Sequence, residues 1–320
     1  KGNLYVVTIS GPTYYFDTKK GRADYLKISS NNLNNYIPQP YSDIYIENDT
    51  SLWLARYNGK FLHYETSSQK TTYYAITEEE SSFKNIVTCI RSDSRSKELL
   101  WLATKNGIYS FHTKSGKLQR NFQCHNVKDS SKDDIDILNI DVTGDTIWFT
   151  ARQRGVGFYN IKTGYYAFFP LQLPSGKIAS LNIKYFQKKN NDEYYIGTEE
   201  RNPGSFNIKT HQYSFNTKII GNFPSIQLGK FLADSIGNCW CLIFGQLFYA
   251  SNRKNKILTV SVSINQSGNL APGIFKKVLY DIKKQCYYAA FDRSDKILVF
   301  DKNIKLTRAI PVISKNSVIT

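Results

Sequence analysis

The sequence predicts an all-β fold: a seven-bladed β-propeller of four-stranded antiparallel blades, with residues 1–320 forming one domain. Three observations carry this expectation. A large aromatic residue recurs at a near-constant period. Each period holds several short apolar stretches bounded by turn residues. No long window shows a capped 3.6-residue helical period.

The recurring ring is Tyr5, Trp53, Trp101, Trp148, Tyr195, Trp240 and Tyr288, at intervals of 48, 48, 47, 47, 45 and 48 residues. A period in this range, with several strands per unit, is the signature of propeller blades. Every unit reads the same way. A short apolar strand opens it, as at 86–90 and 135–140. A polar turn follows, clearest at Asp234, Ser235, Ile236, Gly237 and Asn238, and leads into the strand that carries the Trp or Tyr. A polar or Gly-containing loop connects to a third strand rich in Tyr and Phe. A Thr/Gly turn, as at Thr113 to Gly116 or Thr163 and Gly164, leads to a fourth aromatic strand such as 71–76 or 213–216. Gly, Asn, Asp and Ser sit where tight hairpins need them. A large ring at one position of every blade fills the wedge between neighbouring sheets, so the column is packing rather than a ligand site. No first strand fits before Leu4. The C-terminal Ser317, Val318, Ile319 and Thr320 resemble that missing strand and are expected to close the ring, removing exposed strand edges.

Composition narrows the function classes. With 41% hydrophobic residues the chain has enough for a sizeable core. No apolar run approaches the roughly 20 residues that span a bilayer, so no membrane segment is expected in this chain. Five Cys without paired spacing are not a disulfide framework. Cys239 and Cys241 flank Trp240 on one strand face and read as structural thiols, since no second paired motif supports a metal. No metal or other cofactor is expected. The net charge of +16 comes from basic residues scattered over all blades. That fits a solvated surface better than the focused basic patch of a nucleic-acid binder.

Catalytic signatures are missing. The sequence has no nucleophile elbow, phosphate loop or dinucleotide fingerprint. His63 and His112 read as matching places in the third strands of two blades, which points to a structural role. The adjacent Glu199 and Glu200 sit in a loop and read as solvated. Glycoside hydrolysis needs two carboxyls about 5 to 9.5 Å apart, a geometry that different blades can assemble. A polysaccharide hydrolase or lyase therefore stays as an alternative to a non-enzymatic role, and a protein-interaction scaffold is another.

The unit resembles the two-component regulator propeller repeat. Asp234, Gly237 and Trp240 match the opening of that pattern. Trp101, Ala103, Thr104, Gly107 and Tyr109 match its middle, as do Ile196, Gly197 and Thr198. Thr163 and Gly164 match its end. The resemblance covers nearly the whole chain, although only the fifth unit keeps Ile-Gly-Thr intact and blades one, five and seven carry Tyr in place of Trp. It implies a non-catalytic ligand-sensing region, periplasmic, of a bacterial hybrid two-component receptor. Such a region recognises oligosaccharide or another small anionic ligand and signals to a kinase outside this chain, with the full receptor a homodimer.

The expected ligand face is the rim formed by the loops between second and third strands. Around the ring these supply Arg56 and Tyr57, Lys105 and Asn106, Arg152 and Arg154, then Glu199, Arg201 and Asn202, and finally Phe244 and Arg293. Arg grips carboxylates bidentately and Asn suits sugar hydroxyls, while Tyr57 and Phe244 offer faces for a sugar ring.

Overall fold

The computed structural model describes residues 3–6, 13–17, 22–26, 28, 41–76, 85–123, 136–171, 182–198, 204–215, 228–233, 239–243, 246–251, 256–260, 275–281, 284–291 and 296–311. Among these the chain forms seven antiparallel sheets in sequence order, the first of three strands and the other six of four. The chain divides into two compact units, Lys1–Leu26 with Gln187–Thr320, and Lys27–Phe186.

Three complete sheets lie in the unit Lys27–Phe186. Sheet two comprises Tyr41–Asn48, Ser51–Arg56, Lys60–Glu65 and Thr71–Ala75. Sheet three comprises Val87–Asp93, Ser96–Thr104, Gly107–His112 and Lys117–Phe122. Sheet four comprises Ile137–Thr143, Thr146–Ala151, Gly155–Asn160 and Tyr166–Phe169. Their first strands run past the apolar stretches that announce them. The hairpin of sheet three continues through Arg91 and Ser92, polar residues held by backbone pairing to Trp101 and Leu100.

The second strands read as continuous apolar runs because both faces are covered. Leu52, Trp53, Leu54 and Ala55 are all buried. Trp53, Ala55 and Phe61 pack with Val87, Ile90, Leu100, Leu102, Tyr109 and Phe111 of sheet three. One rung over, Cys89, Trp101, Ala103 and Phe122 pack with Ile140, Ile147, Phe149 and Tyr159 of sheet four. Trp53 meets Phe111 edge-on with centroids 5.5 Å apart. The Trp column thus fills the space between sheets two and three and between three and four. Two of the indoles also find a carboxylate: Trp53 Nε1 donates to Glu47 at 3.3 Å, and Trp101 Nε1 to Asp93 at 2.9 Å. A buried Trp usually satisfies its N–H in this way.

The first strands are joined by side chains reaching main chain one repeat away. Ser42 Oγ donates to the Val87 carbonyl, and Thr88 Oγ1 to the Ile137 carbonyl at 2.6 Å. Asn139 Nδ2 donates to the Lys184 carbonyl at 3.3 Å, and the Ile90 N–H donates to Asp43 Oδ2 at 2.9 Å. Asp43 also accepts from Arg91 at 2.8 Å. Burial pushes the Cys89 thiol up to about 12, with Arg91 acting against it and Asp43 with it. Cys89 is thus a structural thiol, unreactive at neutral pH.

The turns between third and fourth strands share one device. In four of them the fourth residue takes a left-handed backbone, Gln69, Gly116, Gly164 and His211, and in sheet seven the third, Ile304, does so, with φ between 56° and 71°. Asn160 and Asn207 cap two of these turns, each side-chain oxygen accepting from two main-chain N–H groups ahead of it.

The histidine correspondence is corrected. His63 pairs across from Trp53, but the residue across from Trp101 is Ser110, and His112 faces Leu99. Five residues separate the paired Ala55 and Phe61, and only four separate Ala103 and Ile108. Pairing therefore matches His63 with Ser110, and His112 lies two residues further along its strand, on the same face but at a different rung.

In the other unit, Asn3–Val6, Tyr14–Asp17 and Arg22–Tyr25 form sheet one, and the Tyr5 and Tyr15 rings lie 5.3 Å apart. Sheet six comprises Leu228–Ala233, Cys239–Ile243, Gln246–Ser251 and Lys256–Val260. Sheet seven comprises Phe275–Asp281, Cys286–Phe291, Lys296–Asp301 and Leu306–Pro311, and buries Tyr287, Tyr288 and Ile297 to Phe300. Its outer strand lies beside Arg22–Tyr25. Sheet five, Ile183–Lys188, Glu193–Thr198, Gly204–Asn207 and Gln212–Phe215, contains the division between the units within its first strand. The expected closing strand 317–320 and the turn 234–238 lie outside the described residues.

Candidate functional site

At one edge of sheets two, three and four, the loop between second and third strands meets the residues where the chain enters and leaves the sheet. In sheet two the Ile76 N–H donates to the Gly59 carbonyl at 3.1 Å. In sheet three the Lys105 N–H donates to the Ile86 carbonyl at 3.2 Å, and Gln123 Nε2 to Asn106 Oδ1 at 3.1 Å. In sheet four the Arg152 N–H donates to the Asp136 carbonyl at 2.9 Å, and the Gln153 N–H to Asn182 Oδ1 at 3.1 Å. The loops are therefore anchored, not free. Antiparallel connectivity places them on the same edge of each sheet.

The residues expected to bind ligand are held differently in each sheet. Arg56 ends the second strand of sheet two, directly opposite Tyr41. Its guanidinium carbon lies 5.5 Å from the Tyr41 ring centroid and 5.2 Å from that of Tyr73. Its Nε is buried without a hydrogen-bond partner among the described residues. Tyr57 follows and is 42% exposed. The loop then turns at Asn58, whose side chain accepts the Lys60 N–H at 3.3 Å, and at Gly59, with φ 77°.

In sheet three, Lys105 and Asn106 form the whole of a tight turn. The buried Thr104 shapes it, with Oγ1 donating to the Gly107 carbonyl at 3.0 Å and accepting the Asn106 N–H at 2.9 Å. Arg120 donates to Gln123, which in turn holds Asn106, so the Asn106 amide is fixed by a short polar chain. Arg120 also lies 5.5 Å from the Tyr109 ring centroid. In sheet four, Arg152 Nε pairs with Asp136 at 2.9 Å. Gln153 takes a left-handed backbone with φ 56°, and Arg154 caps the turn through its N–H to Ala151 at 3.1 Å.

Arg56, Tyr57, Lys105, Asn106, Arg152 and Arg154 thus share the same kind of edge in three consecutive sheets of one unit. Glu199, Arg201, Asn202, Phe244 and Arg293 lie outside the described residues. Sequence reading missed Tyr41, Tyr73, Arg120, Gln123 and Asn182. Tyr41 was within reach, since strand pairing puts it across from Arg56, but the pairing passes an irregularity between Tyr41 and Asp43 that no pattern announces.

The opposite edge holds Glu47 and Asp93. Glu47, Ser51 and His63 meet there: Ser51 Oγ donates to Glu47 at 2.5 Å and lies 2.6 Å from His63 Nε2. This is not a nucleophile–base–acid relay. The carboxylate approaches the same imidazole nitrogen as the hydroxyl, at 3.5 Å, where a relay needs it on the other nitrogen. Asp93, on the same edge of sheet three, accepts from Arg95 and the Trp101 indole. Burial would raise its pKa, but these bonds outweigh it and hold the carboxyl below the usual range. Among the described residues no cluster of His, Cys, Asp or Glu could hold a metal ion.

No protein-family model and no curated protein matches this chain. Solved structures do. The extracellular domain of BT4673 from B. thetaiotaomicron, described as a one-component or a hybrid two-component system, superposes with a TM-score of 0.57 at 15% identity. The match covers 93% of this chain and 44% of that one, so the chain spans under half the length of that domain. The WD40 repeats of RRP9 give 0.57 at 11% identity, covering 87% of this chain and 82% of that one. The Cps50 (Swd1) β-propeller domain of Myceliophteria thermophila gives 0.57 at 10%, covering 89% and 91%. The likeness is one of fold: repeated four-stranded antiparallel sheets, as in β-propellers.

Proposed function

We propose that this chain is a closed seven-bladed propeller, a single domain. It serves as the non-catalytic, ligand-sensing part of an extracytoplasmic receptor of the two-component kind. It recognises oligosaccharides released by polysaccharide breakdown and passes the signal to a kinase outside this chain, in a receptor that works as a dimer. The observation that supports this most is the fold match along 93% of the chain to an extracellular domain of a signalling protein more than twice its length. The loop edge of sheets two to four adds a chemical argument. It joins cationic and amide side chains to an exposed Tyr, the side-chain classes that bind sugar hydroxyls, ring faces and charged substituents.

The test is a thermal-shift screen of the 320-residue chain against neutral and acidic oligosaccharides, with reducing-end release followed in parallel. A ligand that binds the native state raises the melting temperature, by an increment that grows with its concentration. A shift without turnover is the expected result. Release of reducing ends moves the assignment to a hydrolase. No shift with any glycan removes the oligosaccharide reading.

A further inference from the structure

Arg56 differs from Arg91, Arg95 and Arg152, each paired with a carboxylate, and from Arg120, whose guanidinium donates to Gln123. Arg91 holds Asp43, Arg95 holds Asp93 and Asp145, and Arg152 holds Asp136. Arg56 holds no carboxylate among the described residues. It is kept in place by two aromatic rings, Tyr41 and Tyr73, at 5.5 and 5.2 Å. The attraction of a ring for a cation uses the charge but none of the N–H donors. The hydrogen-bonding capacity of the fork is therefore left over, and Nε is already buried without an acceptor. Buried donors in native proteins are nearly always satisfied, so one that is not calls for a partner.

Resting on the sensor reading above, we propose that Arg56 is the oxyanion anchor of the ligand site. Its guanidinium grips a carboxylate or sulfate substituent on the saccharide, and the exposed Tyr57 beside it covers a sugar face. The ligand is then an acidic oligosaccharide rather than a neutral one. Three features fit. The guanidinium is the donor whose planar fork matches an oxyanion with two parallel bonds. The rings restrict its rotamers before the ligand arrives, so less freedom is lost on binding. The chain carries a net charge of +16, which draws anions toward it. Asp43, the carboxylate nearest in sequence to Tyr41, is already engaged by Arg91 and the Ile90 N–H and does not compete.

The experiment measures binding to the 320-residue chain by calorimetry with two matched pairs. One pair is tetragalacturonate and its carboxyl-reduced form; the other is a carrageenan tetrasaccharide and its desulfated form. The expected result is that one acidic member binds at least tenfold more tightly than its neutral partner, and which one does so separates carboxylate from sulfate. Arg56→Gln loses that tenfold preference, while Arg56→Lys, which keeps charge without the fork, recovers part of it. Melting curves of both variants check that they fold. If each neutral form binds as well as its acidic partner, or folded Arg56→Gln keeps the preference, the anchor is wrong while the sensor reading stands. If none of the four binds but a different neutral glycan does, the anchor again fails alone. If no glycan binds at all, both fall.

Discussion

Asp93 is a buried carboxylate at a turn that is tied to the Trp101 indole. Its side chain is almost wholly buried, yet it accepts from Arg95 through the main chain at 2.8 Å, through Nε at 2.9 Å and through Nη2 at 2.6 Å, as well as from the Trp101 indole. With its folded pKa below the unfolded value of about 3.9, the ionised group adds stability that is complete above that value. The contribution fades as the pH drops through the folded pKa. Asp93→Asn keeps the shape but removes the charge, at a cost of about 1.5–3 kcal/mol at pH 7, the usual range for hydrogen bonds to a charged group. Urea denaturation at pH 7 and pH 3 is the check. The gap between parent and variant should shrink at the lower pH, and a gap of equal size at both would rule out the ionised carboxylate as its source.

Turns and strands obey separate constraints, and glycine substitutions tell them apart. Gly107 opens the third strand of sheet three at φ 119°, and a Cβ there would sit 2.0 Å from the Phe122 carbonyl oxygen of the neighbouring strand. Gly116, in the turn of the same sheet, has φ 69°, and its added Cβ would find its nearest neighbour at 3.9 Å. Gly107→Ala must push two paired strands apart and is expected to cost about 3 kcal/mol or more, among the largest single-site effects. Gly116→Ala meets only left-handed strain, about 1 kcal/mol. Thermal melts of the two variants should rank in that order; equal melting points would mean that the strand pairing relaxes around the methyl. Gln69 and His211 occupy the position of Gly116 in other sheets, so this turn position accepts a side chain. Sequence reading found these elements because hairpins and covered strands write themselves in residue types at short range. It did not find the register. Strand pairing sets His63 and His112 two residues apart, and the irregularity beside Tyr41 hides the ring that faces Arg56. Both depend on pairing distances that a pattern of residue types does not carry.

For the molecule as a whole, the period of 45 to 48 residues announced the succession of sheets, because a large ring such as Trp53 or Trp101 fills the gap to a neighbouring sheet. For ring closure the sequence supplied only the likeness of 317–320 to a first strand, and those residues lie outside the described ones. If residues 317–320 supply the fourth strand of sheet one, deleting 312–320 strips backbone partners from that sheet. The melting temperature should then fall by several degrees or the protein aggregate through the opened edge. A truncated chain that melts like the parent removes the closure. A further consequence follows from the first strands, where Ser42, Thr88, Asn139 and Asp43 each reach main-chain atoms one repeat away. The receiving atom is always a peptide carbonyl or N–H, which every residue type except proline supplies in full. A gene segment duplicated in tandem therefore arrives with half of each contact encoded and the other half guaranteed by the chain itself. The receiving copy can drift in sequence without losing its half of the contact, whereas the giving side cannot: Leu138, at the place of Thr88 in the next sheet, has no side-chain donor to offer.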